Sequence, residues 1–149
     1  MIEIAKLINT NKHLFYELIN NNISQFLYRE KRYNIHFSLV AVYSVKANAL
    51  TLSSLQKKLR FTDTPIILND HLICIAFDDT TDHTYIKAAE NLNTLLRELD
   101  YENNFFLSTA HSSEFPNNTL EMANILIDKL QYAIEHKLAN TVVYEDYII

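Results

Sequence analysis

Three carboxylates crowd one short stretch of the chain, at Asp78, Asp79 and Asp82. That density of acid is what a magnesium or calcium ion needs. The stretch lacks the glycine of a calcium-binding helix–loop–helix, however, and acids before a helix commonly serve its N-terminus. Six histidines, His13, His36, His71, His83, His111 and His136, show no H-x-x-x-H or H-E-x-x-H spacing, so they read as surface or strand-end residues. The single cysteine, Cys74, excludes an internal disulfide and a cysteine-cluster zinc site, and it falls inside a strand pattern where a free thiol is a small buried hydrophobe. Ser108 and His111 belong to another strand pattern, and spacing assigns no Ser–His–Asp set. Arg60 and Asp63, three residues apart past a short helix, pair a planar fork of donors with a carboxylate. They suit either a bidentate ligand contact or a plain surface ion pair.

Glycine is the more telling absence: the 149 residues contain none, where ordinary usage of ~7% would give about ten. Without glycine there is no Walker loop, no G-x-G-x-x-G turn and no G-x-S-x-G elbow, which disfavours most recognisable nucleotide-binding and acyl-transfer enzymes. Asparagine is abundant and is the next-best residue for left-handed turns. Thirteen Lys and Arg against 18 Asp and Glu leave a net charge of −5, the wrong sign for a nucleic-acid footprint. Nine tyrosines and eight phenylalanines fall mostly on faces expected to be buried, without the interleaved basic residues of a stacking platform. The longest apolar run, Leu72 to Phe77, is far below the ~20 residues of a membrane span, and no apolar leader opens the chain. The expectation is a cytoplasmic protein with neither nucleic acid nor membrane as partner, and without a cofactor.

The elements that would carry these residues are set by periodicity. Apolar residues from Leu14 to Leu27 recur at three-to-four spacing and predict a helix over Lys12–Arg32, with Asn11 as cap. His36–Ser44 is nearly all apolar or β-branched and predicts a strand buried on both faces. Leu52, Leu55 and Leu59 mark a short helix, capped by Thr51 or Ser53. Strands over Pro65–Leu68 and His71–Phe77 flank the turn pair Asn69-Asp70 and predict a hairpin. A polar loop, Asp78–Asp82, leads to a helix from about Asp82 to Leu99 with Ile86, Ala89, Leu92, Leu96 and Leu99 inward. A strand over Asn104–His111 comes next. Asn118 and Glu121 resemble a capping box opening a helix over Thr119–Leu138, with Ala123, Ile127, Leu130 and Ile134 inward. Thr141–Tyr144 closes as a strand, and both prolines, Pro65 and Pro116, fall at apparent element boundaries. The order predicts one domain over residues 1–149, an α+β sandwich with a mixed sheet of about five strands, a ferredoxin-like core and covering helices.

In that order the residues resemble a degenerate GGDEF domain, the catalytic domain of diguanylate cyclases. Asn9-Thr10-Asn11-Lys12-His13-Leu14-Phe15 with Leu18 is similar to the family's opening L-x-N-R-x-x-F-x-x-x-L. Phe37 to Val45 stands where the family has F-S-L-L-L-L-D-I-D. Arg60-Phe61-Thr62-Asp63 matches R-x-x-D, and Ser108 to Ser112 resembles S-I-G-I-A. Ile127 to Tyr132 resembles the family's last helix, and Asn140 and Val142 resemble the N-x-V beyond it. The resemblance implies the nucleotide-cyclase sandwich over essentially the whole chain.

The departures bear on activity. The signature turn corresponds to Asn69-Asp70-His71-Leu72-Ile73, or in another register to Leu68 through Leu72; both glycines and the Glu are gone either way. Tyr43 replaces the first-strand aspartate that the family uses for metal. The segment for the guanine-contacting Asn and Asp is cut short between Lys46 and Leu52, and Glu135 replaces a family lysine. Two-metal phosphoryl transfer needs carboxylates that clamp both ions. The resemblance therefore implies a domain that is no enzyme and works as a regulatory or protein-interaction module, its partner another signalling protein or a second copy. Arg60 and Asp63, an inhibitory cyclic di-GMP site in the family, imply the alternative of a receptor for that or a related nucleotide. An enzyme with altered nucleotide chemistry is the third reading.

Overall fold

A computed structural model describes residues 11–46 and 54–144. The family-like residues Asn9 and Thr10, the shortened segment up to Leu52 with the caps Thr51 and Ser53, and the terminal Tyr147 lie outside them.

The run expected to be a doubly buried strand forms β1 (Ser38–Ser44), every residue of which is buried. It lies in the middle of a five-stranded sheet with β2 (Thr64–Ile67), β3 (Leu72–Phe77), β4 (Phe105–His111) and β5 (Val142–Val143), in the order β2-β3-β1-β4-β5. β1 is antiparallel to both neighbours, Ala41 facing Cys74 on one side and Ser108 on the other. β2 and β3 form the expected antiparallel hairpin, and β5 joins β4 in parallel, so the sheet is mixed and its first four strands take the ferredoxin-like order.

The period of two sorts the core into two layers. Leu39, Ala41 and Tyr43 of β1 pack with Leu72, Cys74 and Ala76 of β3 under one set of helices: α1 (Lys12–Asn22), α2 (Ser24–Tyr33) and α4 (Thr119–Glu135). Val40, Val42, Ile73, Ile75 and Leu107 face the other way, onto Leu55 and α3 (Tyr85–Leu99). Ala123, Ile127, Leu130 and Ile134 all point inward as expected. In α3, Ala89, Leu92 and Leu96 do so with Tyr85, while Ile86 and Leu99 are only partly covered.

Several boundaries differ from the sequence reading. The first helix breaks at Ile23 (φ −116°, ψ 12°), directly after Asn20-Asn21-Asn22. Asparagine side chains compete with the helical backbone for hydrogen bonds, and Asn22 Nδ2 donates to Leu18 O at 2.7 Å. The break buries Ile23, and Phe26 and Leu27 both donate their N–H to its carbonyl. The last helix stops at Glu135 rather than Leu138, because Lys137 turns left-handed (φ 56°). Leu138 N then donates to Ala133 O and Lys137 N to Ile134 O, the paired bonds of a Schellman end. Pro65 lies within β2, which tolerates it as an edge strand. At the start of α4 the Asn118 carboxamide oxygen accepts from Glu121 N at 3.1 Å, but Glu121 Oε2 meets Asn118 Nδ2 at 3.0 Å instead of the cap N–H, so only half of a capping box forms. Burial of the aromatic residues is also incomplete: Tyr28, Tyr33, Phe61 and Tyr101 stand exposed.

Among the described residues five take positive φ, and three of them are Asn34, Asn117 and Asn140, with Asp79 and Lys137 the others. In a chain without glycine, asparagine takes most of these positions, as expected.

Candidate functional site

Arg60 and Asp63 come together on the loop that enters β2. Asp63 is buried, its side chain 3% exposed, and its carboxylate is densely engaged. Oδ2 accepts from Arg60 N at 3.2 Å and Nε at 3.1 Å; Oδ1 accepts from an Arg60 terminal nitrogen at 3.0 Å and from Asp78 N at 3.0 Å. The same Arg60 terminal nitrogen also donates to Asp78 O. Its hydrogen bonds to Asp63, reinforced by the surrounding acids, push the Arg60 guanidinium above its ordinary value. The pair thus clips the loop before β2 to the start of the loop after β3.

A cleft of about 590 Å³ opens beside this clip. Lys58, Arg60 and Asp63 line it, together with His83 just before α3, Lys87 and Asn91 on α3, and the apolar Phe77 and Leu92. The sequence pointed to Arg60 and Asp63, which the structure brings together, and did not point to Lys87 and His83, which line the same cleft. Their four-residue spacing across the entry to α3 was the available signal.

The acid cluster does not converge. Asp78 Oδ1 accepts from Arg29 at 2.9 Å, Asp79 lines the cleft, and Asp82 lies 3.5 Å from exposed His83. Among the described residues no three His, Cys, Asp or Glu side chains form a group able to hold a metal ion.

At the far end of the sheet lies the turn between β2 and β3. Asn69 Oδ1 accepts from both His71 N and Leu72 N at 2.8 Å, closing the turn with a side chain. His71 Nδ1 lies 2.9 Å from Ser44 O, and the His71 ring stacks on Tyr43 at 6.0 Å between centroids, with the planes 24° apart. Tyr43 is 7% exposed and also meets Phe106; its burial pushes the phenol upward from the ordinary tyrosine value. Asp70 is exposed at the tip, while Leu72 and Ile73 point into opposite core layers. Cys74 is wholly buried in β3, which pushes its thiol up to about 12.

No protein-family model matches the chain, and no curated protein matches it in sequence. Solved structures do. A microbial GGDEF domain described in its interaction with cyclic di-GMP superposes with a TM-score of 0.68 at 12% identity, covering 85% of this chain and 90% of that one. The GGDEF domain of YfiN from Pseudomonas aeruginosa gives 0.66 at 9% identity, over 86% and 93%. That of DgcB from Caulobacter crescentus, in complex with cyclic di-GMP, gives 0.64 at 8% identity, over 85% of each chain. With the strand order, the hairpin and the two helical layers, these likenesses show that the chain has the fold of the GGDEF domains.

Proposed function

We propose that this chain is a regulatory module on the GGDEF fold that makes no cyclic di-GMP and acts by contacting another signalling protein or a second copy of itself. The observation that carries the reading is the stack of Tyr43 on His71. It fills the place where the family resemblance puts a metal-binding aspartate next to a glycine turn. A buried phenol offers a hard cation no carboxylate. The Asn69 side chain occupies two backbone donors of the turn, His71 N and Leu72 N, where a glycine-containing signature could bring N–H groups to a phosphate. Incubation with GTP and magnesium should yield no cyclic di-GMP, and Tyr43→Asp should restore none, because the turn remains closed. Product accumulating above a protein-free control would overturn the reading.

The cleft beside Arg60 favours a second reading, a receptor for cyclic di-GMP or a related nucleotide. Lys58, Arg60 and Lys87 supply positive charge to a space of small-molecule size, and two of the fold's neighbours are described with cyclic di-GMP. A guanine edge would have to draw the Arg60 fork away from Asp63. Calorimetry with cyclic di-GMP decides: Arg60→Ala should weaken binding by ~1–3 kcal/mol, the usual worth of a bidentate base contact. Arg60→Lys should not restore it, since a point charge lacks the fork. Equal affinity in Arg60→Ala would remove this site.

A further inference from the structure

Phe61 is the most exposed large apolar side chain among the described residues, at 103%. It stands on a tight turn over residues 60–63, in which Asp63 N donates to Arg60 O at 3.0 Å. The buried Asp63 carboxylate ties that turn down, through Arg60 N on one side and Asp78 N on the other. The ring is therefore presented on a fixed base, and little backbone freedom remains to be lost when something covers it.

The ends of the turn, Arg60 and Asp63, line the cleft of about 590 Å³, whereas Phe61 and Thr62 between them do not. Phe61 thus projects from the rim of the cleft and does not fold back into it. Inside, Leu59, Phe77, Ala88, Leu92 and Leu95 give an apolar lining, and Leu59, Ala88 and Leu95 are only partly covered by the chain's own packing. Lys87 lies among them, a cation that the face of an aromatic ring accepts. One patch carries both an apolar knob and an apolar hollow.

Charge selects the occupant. Exposed Lys57 and Lys58 precede the knob, while Asp79 lines the cleft and exposed Asp82 stands beside His83 at its edge. Among the described residues none of Lys57, Lys58, Lys87 and Asp79 enters an ion pair. A surface with both signs so close together is matched by one that also carries both, and a second copy of the chain supplies it. Its knob arrives with lysines beside it and meets a rim that holds aspartates. A two-fold axis between knob and hollow makes the contact reciprocal, since seating one ring seats the other.

The geometry points to a two-fold dimer in which Phe61 of each copy enters the apolar cleft beside Arg60 of the other. This rests on the reading that the chain acts through protein contacts, and names the second copy as the partner and this face as the surface. A ring held in a desolvated pocket at the centre of such a contact carries much of its affinity.

Sedimentation equilibrium of the full chain, from micromolar to near-millimolar concentration, tests it. The unaltered chain should associate to a dimer. Phe61→Ser, whose exposed position spares the fold, should weaken association at least tenfold. Ala88→Trp, which fills the hollow from α3, should do the same with thermal melts confirming that it folds. An equimolar mixture of the two variants should associate more tightly than either alone, because the mixed pair keeps one ring and one open cleft. A chain that stays monomeric overturns the dimer and leaves another signalling protein as the partner in the broader reading. A dimer unchanged in either variant, or a mixture no tighter than its components, overturns this surface while the second-copy reading stands.

Discussion

Asp63→Ala tests how much the loop clip contributes to the fold. The carboxylate removed is 3% exposed and accepts four hydrogen bonds, two from backbone N–H groups and two from the Arg60 guanidinium. A hydrogen bond to a charged acceptor contributes ~1.5–3 kcal/mol, and a buried donor left unmade costs about as much. The terms do not add in full here. The Arg60 side chain is 57% exposed and regains water, so its share is heavily screened. The Asp78 N–H lies on a partly covered residue and loses more. The expected cost is about 2–4 kcal/mol, which in a chain of this size lowers the melting temperature by roughly 2–4 °C per kcal/mol. Arg60→Ala leaves the carboxylate its two backbone donors and should cost less, about 1 kcal/mol. Urea unfolding of both variants at unchanged m-value measures the difference. The reasoning fails if Asp63→Ala lies within about 0.5 kcal/mol of the parent, the scatter of ordinary surface substitutions. It fails equally if Arg60→Ala proves the costlier of the two.

Other residues carry three more expected outcomes. Asn69→Ala removes the acceptor of His71 N and Leu72 N and should destabilise by ~1–2 kcal/mol in urea, less any part that water restores at the exposed tip. Lys137→Gly should stabilise by ~0.5–1 kcal/mol, because a side chain at φ 56° pays the left-handed penalty that glycine avoids; a lower melting temperature would contradict this. Cys74 should resist disulfide reagents at neutral pH until the protein unfolds. Its thiol is raised in the fold from 9.0 to about 12, so the associated stability is whole below pH 9.0 and is lost as pH climbs toward about 12. Cys74→Ala should flatten that alkaline decline in thermal melts.

The sheet was legible because burial on two faces leaves a blunt mark. His36–Ser44 contains almost nothing that water would hold, and the structure makes its Ser38–Ser44 part the middle strand. The hairpin was legible for the opposite reason, a polar pair between two apolar runs. The break at Ile23 was harder, since Ile23 continues the apolar spacing on both sides and is itself buried; only the preceding three asparagines marked it. The candidate sites divide in the same way. Arg60 and Asp63 are neighbours in sequence and could be read together. Arg60 and Lys87 are brought to one cleft by the placement of α3 against the sheet, which one-dimensional spacing does not record.

The absence of glycine separates what this fold needs from what a phosphate-binding turn needs. A left-handed residue can be asparagine at modest cost, and Asn34, Asn117 and Asn140 take that role where helices and loops change direction. A hairpin can be closed by a side chain in place of a bare backbone, as Asn69 closes the one before β3. Neither substitution disturbs the sheet register, which runs without a bulge from Thr64 paired with Ala76 to Ile67 paired with Ile73. A phosphate-cradling turn has no such latitude. It needs N–H groups that are unspent and approachable, and two of those at this turn are bonded to Asn69 within the chain. The residue that makes the turn stable without glycine is therefore the same one that withdraws its donors from a ligand. One side chain thus both closes the turn and occupies two of its backbone donors.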